Sequence, residues 1–409
     1  MAKRLPNLPP DRSSSWLGER LDLEPLMELM AHKMVPVHRH SWIYLLGGAA
    51  LFCFLLQVAT GSLLMLYYQP TEAAAHASVA RIANEVPYGW FVRSMHAWGA
   101  NFFIGLVLLH FLTVLFTRAY RKPRELTWLS GMSMLFLSLG IGFSGYLLPW
   151  NELSYYATLV GTQIPGTLPV VGDFVVHLLR GGAQVTGDTI TRFSAAHVVI
   201  LPLLLGGGML VHLALVQFQG MSRPLGMGVE EIEEERPFFS EFAIIDACLW
   251  CLILGVLATL ALLLPAEIGV EADPLKPAPS GIEPEWYFLF MFKTLKHVPE
   301  TVGVLFFSLM ALFLFFLPFF DRRAGRGEKS PIFTGIFLCG LGYAVVFELL
   351  ALIGPGMEHP PEALTAPTYD LAHGLVTLVL VWGIIGFLVF YLWKMMRENA
   401  RVRKLYEGG

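Results

Sequence analysis

Residues Ser94–Thr117 read SMHAWGANFFIGLVLLHFLTVLFT, an uncharged run that holds two histidines, His96 and His110. Roughly 20 apolar residues wound as helix cross about 30 Å of hydrocarbon, so this segment is expected to span a membrane. Seven further stretches of the same kind lie on either side, near 42–69, 126–150, 193–218, 247–265, 301–320, 330–352 and 371–393. With 55% hydrophobic and 15% charged residues, the chain is too apolar for an ordinary soluble protein. The expected fold class is an all-α membrane protein with eight transmembrane helices. The first 40 residues, polar and mixed in charge, do not read as a cleavable signal.

Basic residues mark the cytoplasmic side of such a chain. They cluster before the first stretch, after the second (Arg118, Arg121, Lys122, Arg124), after the sixth (Arg322, Arg323, Arg326, Lys329) and after the eighth (from Lys394 to Lys404). Eight crossings with both termini inside put all four clusters on one side. The acidic run from Glu230 to Arg236 then falls in an inner loop and reads as a solvated face. The outer side receives two long loops, 151–190 with an amphipathic stretch at Val170–Leu179, and the proline-rich 267–300. Such loops build or cover sites, and helices lying on the outer surface are expected there.

Four histidines lie deep within the spans: His96 and His110 on the second, His197 and His212 on the fourth. Spacings of 14 and 15 residues set each pair about 21–22 Å apart on nearly one helix face. The second and fourth spans run parallel, so His96 is expected to face His197 toward the outer side and His110 to face His212 toward the inner side. Two opposed imidazoles at each depth suit axial ligation of iron in a haem held between facing helices. Zinc or copper would want its ligands at one depth. Two haem b groups in a four-helix bundle formed by the first four spans are therefore expected, with the four histidines as metal ligands.

Glycines repeat the period. Gly47 and Gly61 on the first span, and Gly131 and Gly145 on the third, are each 14 apart. Glycine inside a helix is costly without a reason such as close approach of another body, and flat macrocycles against both helices would supply one. Packing through small residues is the plainer reading for Gly206–Gly208. Arg93, Arg118 and Arg124 can pair with haem propionates or serve as interfacial anchors. Cys248 and Cys251 form a CxxC that reads as packing thiols rather than a metal site, and no CxxCH occurs.

Arg93-Ser-Met-His96, Lys122-Pro-Arg-Glu-Leu-Thr-Trp128, Gly145-Tyr-Leu-Leu-Pro-Trp150, Thr191-Arg-Phe193 and Pro284-Glu-Trp-Tyr287 together resemble the cytochrome b subunit of cytochrome bc-type complexes, over about residues 35–350. The resemblance implies a homodimeric complex in membrane lipid, with a Rieske iron–sulfur protein and a c-type cytochrome and no nucleic-acid partner. It implies that quinol is oxidised near the outer surface. One electron would pass to the iron–sulfur centre and the other through both haems to an inner quinone site, contributing to a proton gradient. Glu285 would accept the proton, Tyr287 and Tyr146 would position ring and proton path, and Pro284 would shape the loop. A carboxylate beside an apolar pocket should have a raised pKa.

The 15-residue spacing and the Lys122–Trp128 string resemble the plastoquinol-oxidising type, whereas fusion into one chain and an added eighth span point to a bacterium and its cytoplasmic membrane. Leu45 stands where the plastoquinol type has a cysteine for an extra haem, so the resemblance does not extend to a third, covalently held haem. Gln217 stands where the family offers histidine or arginine to the inner quinone, and no inner-site residue is named. Glu348 reads as a surface-anchored carboxylate ahead of a proton-path group. The expected organisation is 1–40 as an N-terminal interfacial segment, 41–220 as the di-haem bundle, 221–242 as a cytoplasmic linker, 243–353 as a three-helix quinol-site lobe, and 354–409 as the extra helix with its basic tail. The competing readings are a di-haem membrane anchor for another quinone-linked enzyme, which would lack the Pro-Glu-Trp-Tyr loop, and a transporter, which would show internal repeats.

Overall fold

The computed structural model describes residues 33–38, 40–225, 234–279 and 282–353, the side chains of 234 and 350–353 apart. The expected eighth span, the loop before it, the basic tail, most of the N-terminal segment and part of the acidic run lie outside the described residues.

After strand β1 (Met34–Val37) and a short 3-10 turn come α1 (Leu45–Met65), α2 (Ala75–Asn84), α3 (Gly89–Thr117), α4 (Glu125–Tyr146), α5 (Glu152–Gln163) and α6 (Gly172–Arg180). The fourth span, α7, runs over Gly187–Gln219. Strand β2 (Glu234–Pro237) precedes α8 (Phe238–Leu263), and α9 (Trp286–Leu295), α10 (Glu300–Phe315) and α11 (Pro331–Ile353) follow. Among the described residues, α1, α3, α4, α7, α8 and α11 are long and apolar enough to cross a membrane, so the chain is a multi-pass, all-α membrane protein. The stretch expected at 301–320 is shorter than a full span as one helix. It breaks after Phe315 into a short turn, Leu317–Phe320, with Pro318 as its second residue.

These helices are apolar all round because lipid, not water, faces most of them. Leu203, Leu210 and Phe218 of α7 are exposed, a penalty in water and none in hydrocarbon. Packing is pairwise: α1 lies on α3, α4 on α7, and α8 covers α3 and α1. Ala49, Cys53, Trp98, Phe103, Leu205 and Leu257 form the core where α1, α3, α7 and α8 meet. In the second lobe, α9 packs on α11 and α10.

The two ends of the bundle differ. At the loop end, α5 begins with a capping box in which Asn151 Oδ1 accepts from Ser154 N–H at 2.9 Å. Arg180, buried at the end of α6, donates to Thr162 Oγ1 at 2.7 Å and to the Leu159 carbonyl at 2.8 Å, locking α6 onto α5. The segment after α8 joins this cap where Glu152 N–H donates to Val270 O at 2.8 Å. The 151–190 segment thus carries two short helices, α5 and α6.

The opposite, strand end carries an antiparallel β1–β2 pair, Met34 opposite Pro237 and Val37 opposite Glu234. The sequence reading has no strand there, because four residues with a proline in each strand carry no usable period. Arg118 ends α3 in the left-handed region at φ 59°. It is buried against Asp321 at 3.5 Å, with Thr334 Oγ1 accepting at 2.5 Å. Tyr120 donates to the same carboxylate at 2.8 Å, and Ser330 also bonds it. This polar cluster joins the four-helix bundle to the junction of α10 and α11.

Candidate functional site

The four intramembrane histidines meet in pairs. At the loop end, the rings of His96 and His197 have centroids 6.2 Å apart. At the strand end, His110 and His212 lie within Coulombic reach of each other. Two metal–nitrogen bonds of about 2 Å each, plus the reach from each nitrogen to its ring centre, add to about 6 Å. The loop-end gap therefore fits one metal ion between two imidazoles.

Hydrogen bonds decide which nitrogen faces that gap. Thr60 Oγ1 gives its proton to Leu56 O at 2.7 Å and so accepts from His96 Nδ1 at 2.9 Å. His197 Nδ1 donates to Ile141 O at 2.9 Å. Ser130 Oγ, whose proton goes to Thr127 O, accepts from His212 Nδ1 at 2.9 Å. Committing Nδ1–H in this way leaves Nε2 unprotonated and more basic, the state in which an imidazole can bind a metal. His110 departs from the scheme: its buried Nδ1 has no partner among the described residues.

The fourth span explains its own longer spacing. Pro202 has no N–H to give Val198 O, and just before it Ala196–Ile200 form a π turn in which Leu201 N–H reaches back to Ala196 O. A π turn takes up one extra residue. The 15 residues from His197 to His212 thus do the work of 14, and both pairs keep the same depth and face.

The four glycines sit against imidazoles rather than against open space. A Cβ built on Gly145 would stand 2.5 Å from His197 Cε1, and one on Gly61 3.1 Å from His96 Cε1. The corresponding distances are 3.3 Å from Gly131 to His212 and 3.5 Å from Gly47 to His110. The matched period thus admits the four histidine rings at these glycines.

Expected propionate partners have other partners here. Arg93 donates to the carbonyls of Ala266 (2.5 Å) and Glu267. Arg124 donates to the carbonyls of Gln219 (3.0 Å) and Gly220 (3.4 Å), which the end of α7 leaves open. Arg118 belongs to the Asp321 cluster.

The Pro284-Glu285-Trp286-Tyr287 string opens α9 beside the loop-end pair. Glu285 occupies the N-cap position, yet its side chain does not cap the helix. Its carboxyl has no ionic or hydrogen-bond partner among the described residues, and burial pushes its pKa up to about 7. Tyr287 lies within Coulombic reach of Glu285 and Tyr146, so the three named groups converge. The Tyr287 hydroxyl rests on Gly142, where a Cβ would stand 2.6 Å away. Gly142 lies one helical turn before Gly145, and the sequence reading passed over it because it lacks the 14-residue period. Phe143 packs edge-on against Phe193 and Phe288 (centroids 5.7 and 6.3 Å), which walls the region with apolar rings.

Two carboxylates were missed or misplaced by sequence. Asp246 of α8 presses on α1 at Gly48, where a Cβ would stand 2.0 Å from its Oδ2, and its buried Oδ1 has no hydrogen-bond partner among the described residues. It was legible as an acid inside an apolar run, a feature with a functional prior. Glu348, expected at a surface, is buried because α11 packs it against α9.

Two family models match the chain. Residues 30–220 match the family model described as cytochrome b/b6/petB, and residues 271–371 the one described as cytochrome b (C-terminal)/b6/petD. The chain is 44% identical over 342 residues to a cytochrome bc complex cytochrome b subunit of Chlorobaculum thiosulfatiphilum, covering 82% of this chain and 80% of that one. It is 46% identical to cytochrome b6 of Heliobacterium mobile over 212 residues, 52% of this chain and all of that one. A solved chain titled Hyperthermophilic respiratory Complex III superposes with a TM-score of 0.74 at 31% identity, covering 91% of this chain and 96% of that one. With both family halves in one polypeptide, the chain belongs to the cytochrome b/b6 family, as the cytochrome b subunit of a bc-type electron-transfer complex.

Proposed function

We propose that this subunit oxidises a quinol at the loop end and returns one of its electrons to a quinone at the strand end. Glu285 carries the reading. It is a carboxylate at the start of α9, without a partner among the described residues, with its pKa raised to about 7 by burial and two tyrosines beside it. A base poised near the working pH can take the hydroxyl proton of a bound quinol as its electrons leave. Tyr287 and Tyr146 orient the ring, Pro284 fixes the approach of the loop, and the Phe143 cluster holds the apolar face of the substrate.

His96 with His197, and His110 with His212, would hold two b-type haems, and the ring separation at the loop end supports the fit. Held between two histidines, such a group would supply one-electron transfer. The two electrons of the quinol part at the loop end, one to a Rieske iron–sulfur partner on the way to a c-type cytochrome, the other across the membrane. At the strand end Asp246 is the carboxylate placed to give a proton to the reduced quinone. The bundle at 41–220, the linker at 221–242 and the lobe at 243–353 are then the working units. The proposed setting is a homodimeric complex in a bacterial cytoplasmic membrane with both termini inside.

Glu285→Gln tests the reading. Turnover with duroquinol should fall about 100-fold while both b-type absorbance bands persist. The wild-type rate should rise with pH through about 7 as the basic carboxylate forms, and the variant should lose that limb. A wild-type rate and pH profile in the variant would overturn the assignment.

A further inference from the structure

One hydrogen bond joins the quinol loop directly to the helix that carries His96 and His110. Trp286 Nε1 donates to Asn101 Oδ1 at 2.8 Å, across 185 residues of chain. Asn101 is itself held, since its Nδ2 donates to Ala97 O at 3.1 Å, one turn back on α3. Its acceptor oxygen is thus aimed at α9 before the loop arrives. Trp286 follows Glu285 immediately and is the first residue of α9. It packs against the core shared by α1, α3, α7 and α8, and its ring lies 5.4 Å from that of Tyr287.

The Glu285 side chain neither caps its helix nor pairs with any described group. Its place is therefore set by the backbone, and that backbone is pinned on one side by Pro284 and on the other by the anchored indole. We propose that Asn101 is a positioning residue for quinol oxidation: acting through Trp286, it fixes the start of α9 so that the Glu285 carboxylate stands at the substrate. Asn101 lies five residues from His96, about 7.5 Å along the helix. The bond thereby registers the proton acceptor against the loop-end histidine pair. A loosely held general base loses rate steeply with small displacement.

This inference rests on the quinol-site reading, and the experiment separates the two. Turnover of the intact complex is measured with duroquinol as donor and cytochrome c as acceptor, for Asn101→Leu, Trp286→Phe, the double variant and Glu285→Gln. Asn101→Leu should lower kcat about 10-fold with little change in KM, shift the pH limb, and leave both b-type bands in place. Trp286→Phe should do the same, and the double variant should be no slower than either single one, because both remove one bond. Asn101→Ala takes the place of the leucine variant if that complex does not assemble. A wild-type rate and pH profile in the Asn101 variant, or losses that multiply in the double variant, would overturn the proposal. If Glu285→Gln is itself silent, the quinol-site reading fails; if only the Asn101 variants are silent, this inference fails alone.

Discussion

The loop-end and strand-end histidine pairs are built to one plan and finished differently. At the loop end, a Cβ on Gly145 or Gly61 would come within 2.5 or 3.1 Å of an imidazole carbon, and both Nδ1 atoms are committed to α1 or α4. At the strand end, the distances open to 3.3 and 3.5 Å, and His110 Nδ1 has no described partner. Duplicated geometry does not make duplicated sites. The tight pair adjoins the start of α9, where Tyr287 rests on Gly142 one turn from Gly145. Elsewhere at the strand end the rigidity comes from polar groups, Arg118, Tyr120, Asp321 and Ser330, rather than from glycine against ring.

Replacing glycines is the strongest way to break this contrast. Gly145→Ala should displace His197 and abolish the loop-end b-type band. Gly47→Ala, at ordinary contact distance, should leave the strand-end band nearly intact. Equal losses at both ends, read by reduced-minus-oxidised difference spectra, would erase the distinction.

Arg118→Ala probes the other style of rigidity. It leaves Asp321, nearly inaccessible, as an unpaired buried charge, for an expected loss of about 3–5 kcal/mol. Thermal unfolding of the purified complex should show that loss as a lowered midpoint. A variant as stable as wild type would mean that the cluster does not hold the second lobe in place.

The smallest expected effect sharpens the comparison. Thr60→Val removes the acceptor for His96 Nδ1 and makes that imidazole a poorer donor to a metal, which should raise the loop-end midpoint potential by roughly a few tens of millivolts. The strand-end potential should stay put. A redox titration resolving the two b-type components reads both at once.

Much of this was legible in the sequence, and the reasons are local. His96, His110 and the four spaced glycines stand out because a helix converts spacing into depth and face. The Pro284–Tyr287 string stands out because it resembles a motif of the cytochrome b family. What escaped depends on contacts between distant segments. The 14 and 15 spacings gave matching faces only approximately, and the π turn before Pro202, which takes up the extra residue, has no signature in spacing. Asp246 meets Gly48, Asn101 meets Trp286, and Arg118 meets Asp321 across roughly 200 residues each, with no periodicity to announce them. Glu348 was misplaced for the same reason: charge near a helix end suggests a surface unless the packing of α11 on α9 is known. Arg93 and Arg124 also hold backbone carbonyls of distant segments, contacts that charge alone does not announce.

The β1–β2 pair is a small element with a topological consequence. By tying residues 34–37 to residues 234–237, it closes a loop of chain that contains all four spanning helices of the first half. Closing so long a loop costs entropy that four paired residues alone would not recover. The clasp can therefore form only once the fourth helix has returned to the side where the chain began. In a fused polypeptide the two strands stay at a high effective concentration. The pair then acts as a seam between the two halves of the molecule, one that a subunit divided at this point would have to close by bimolecular encounter.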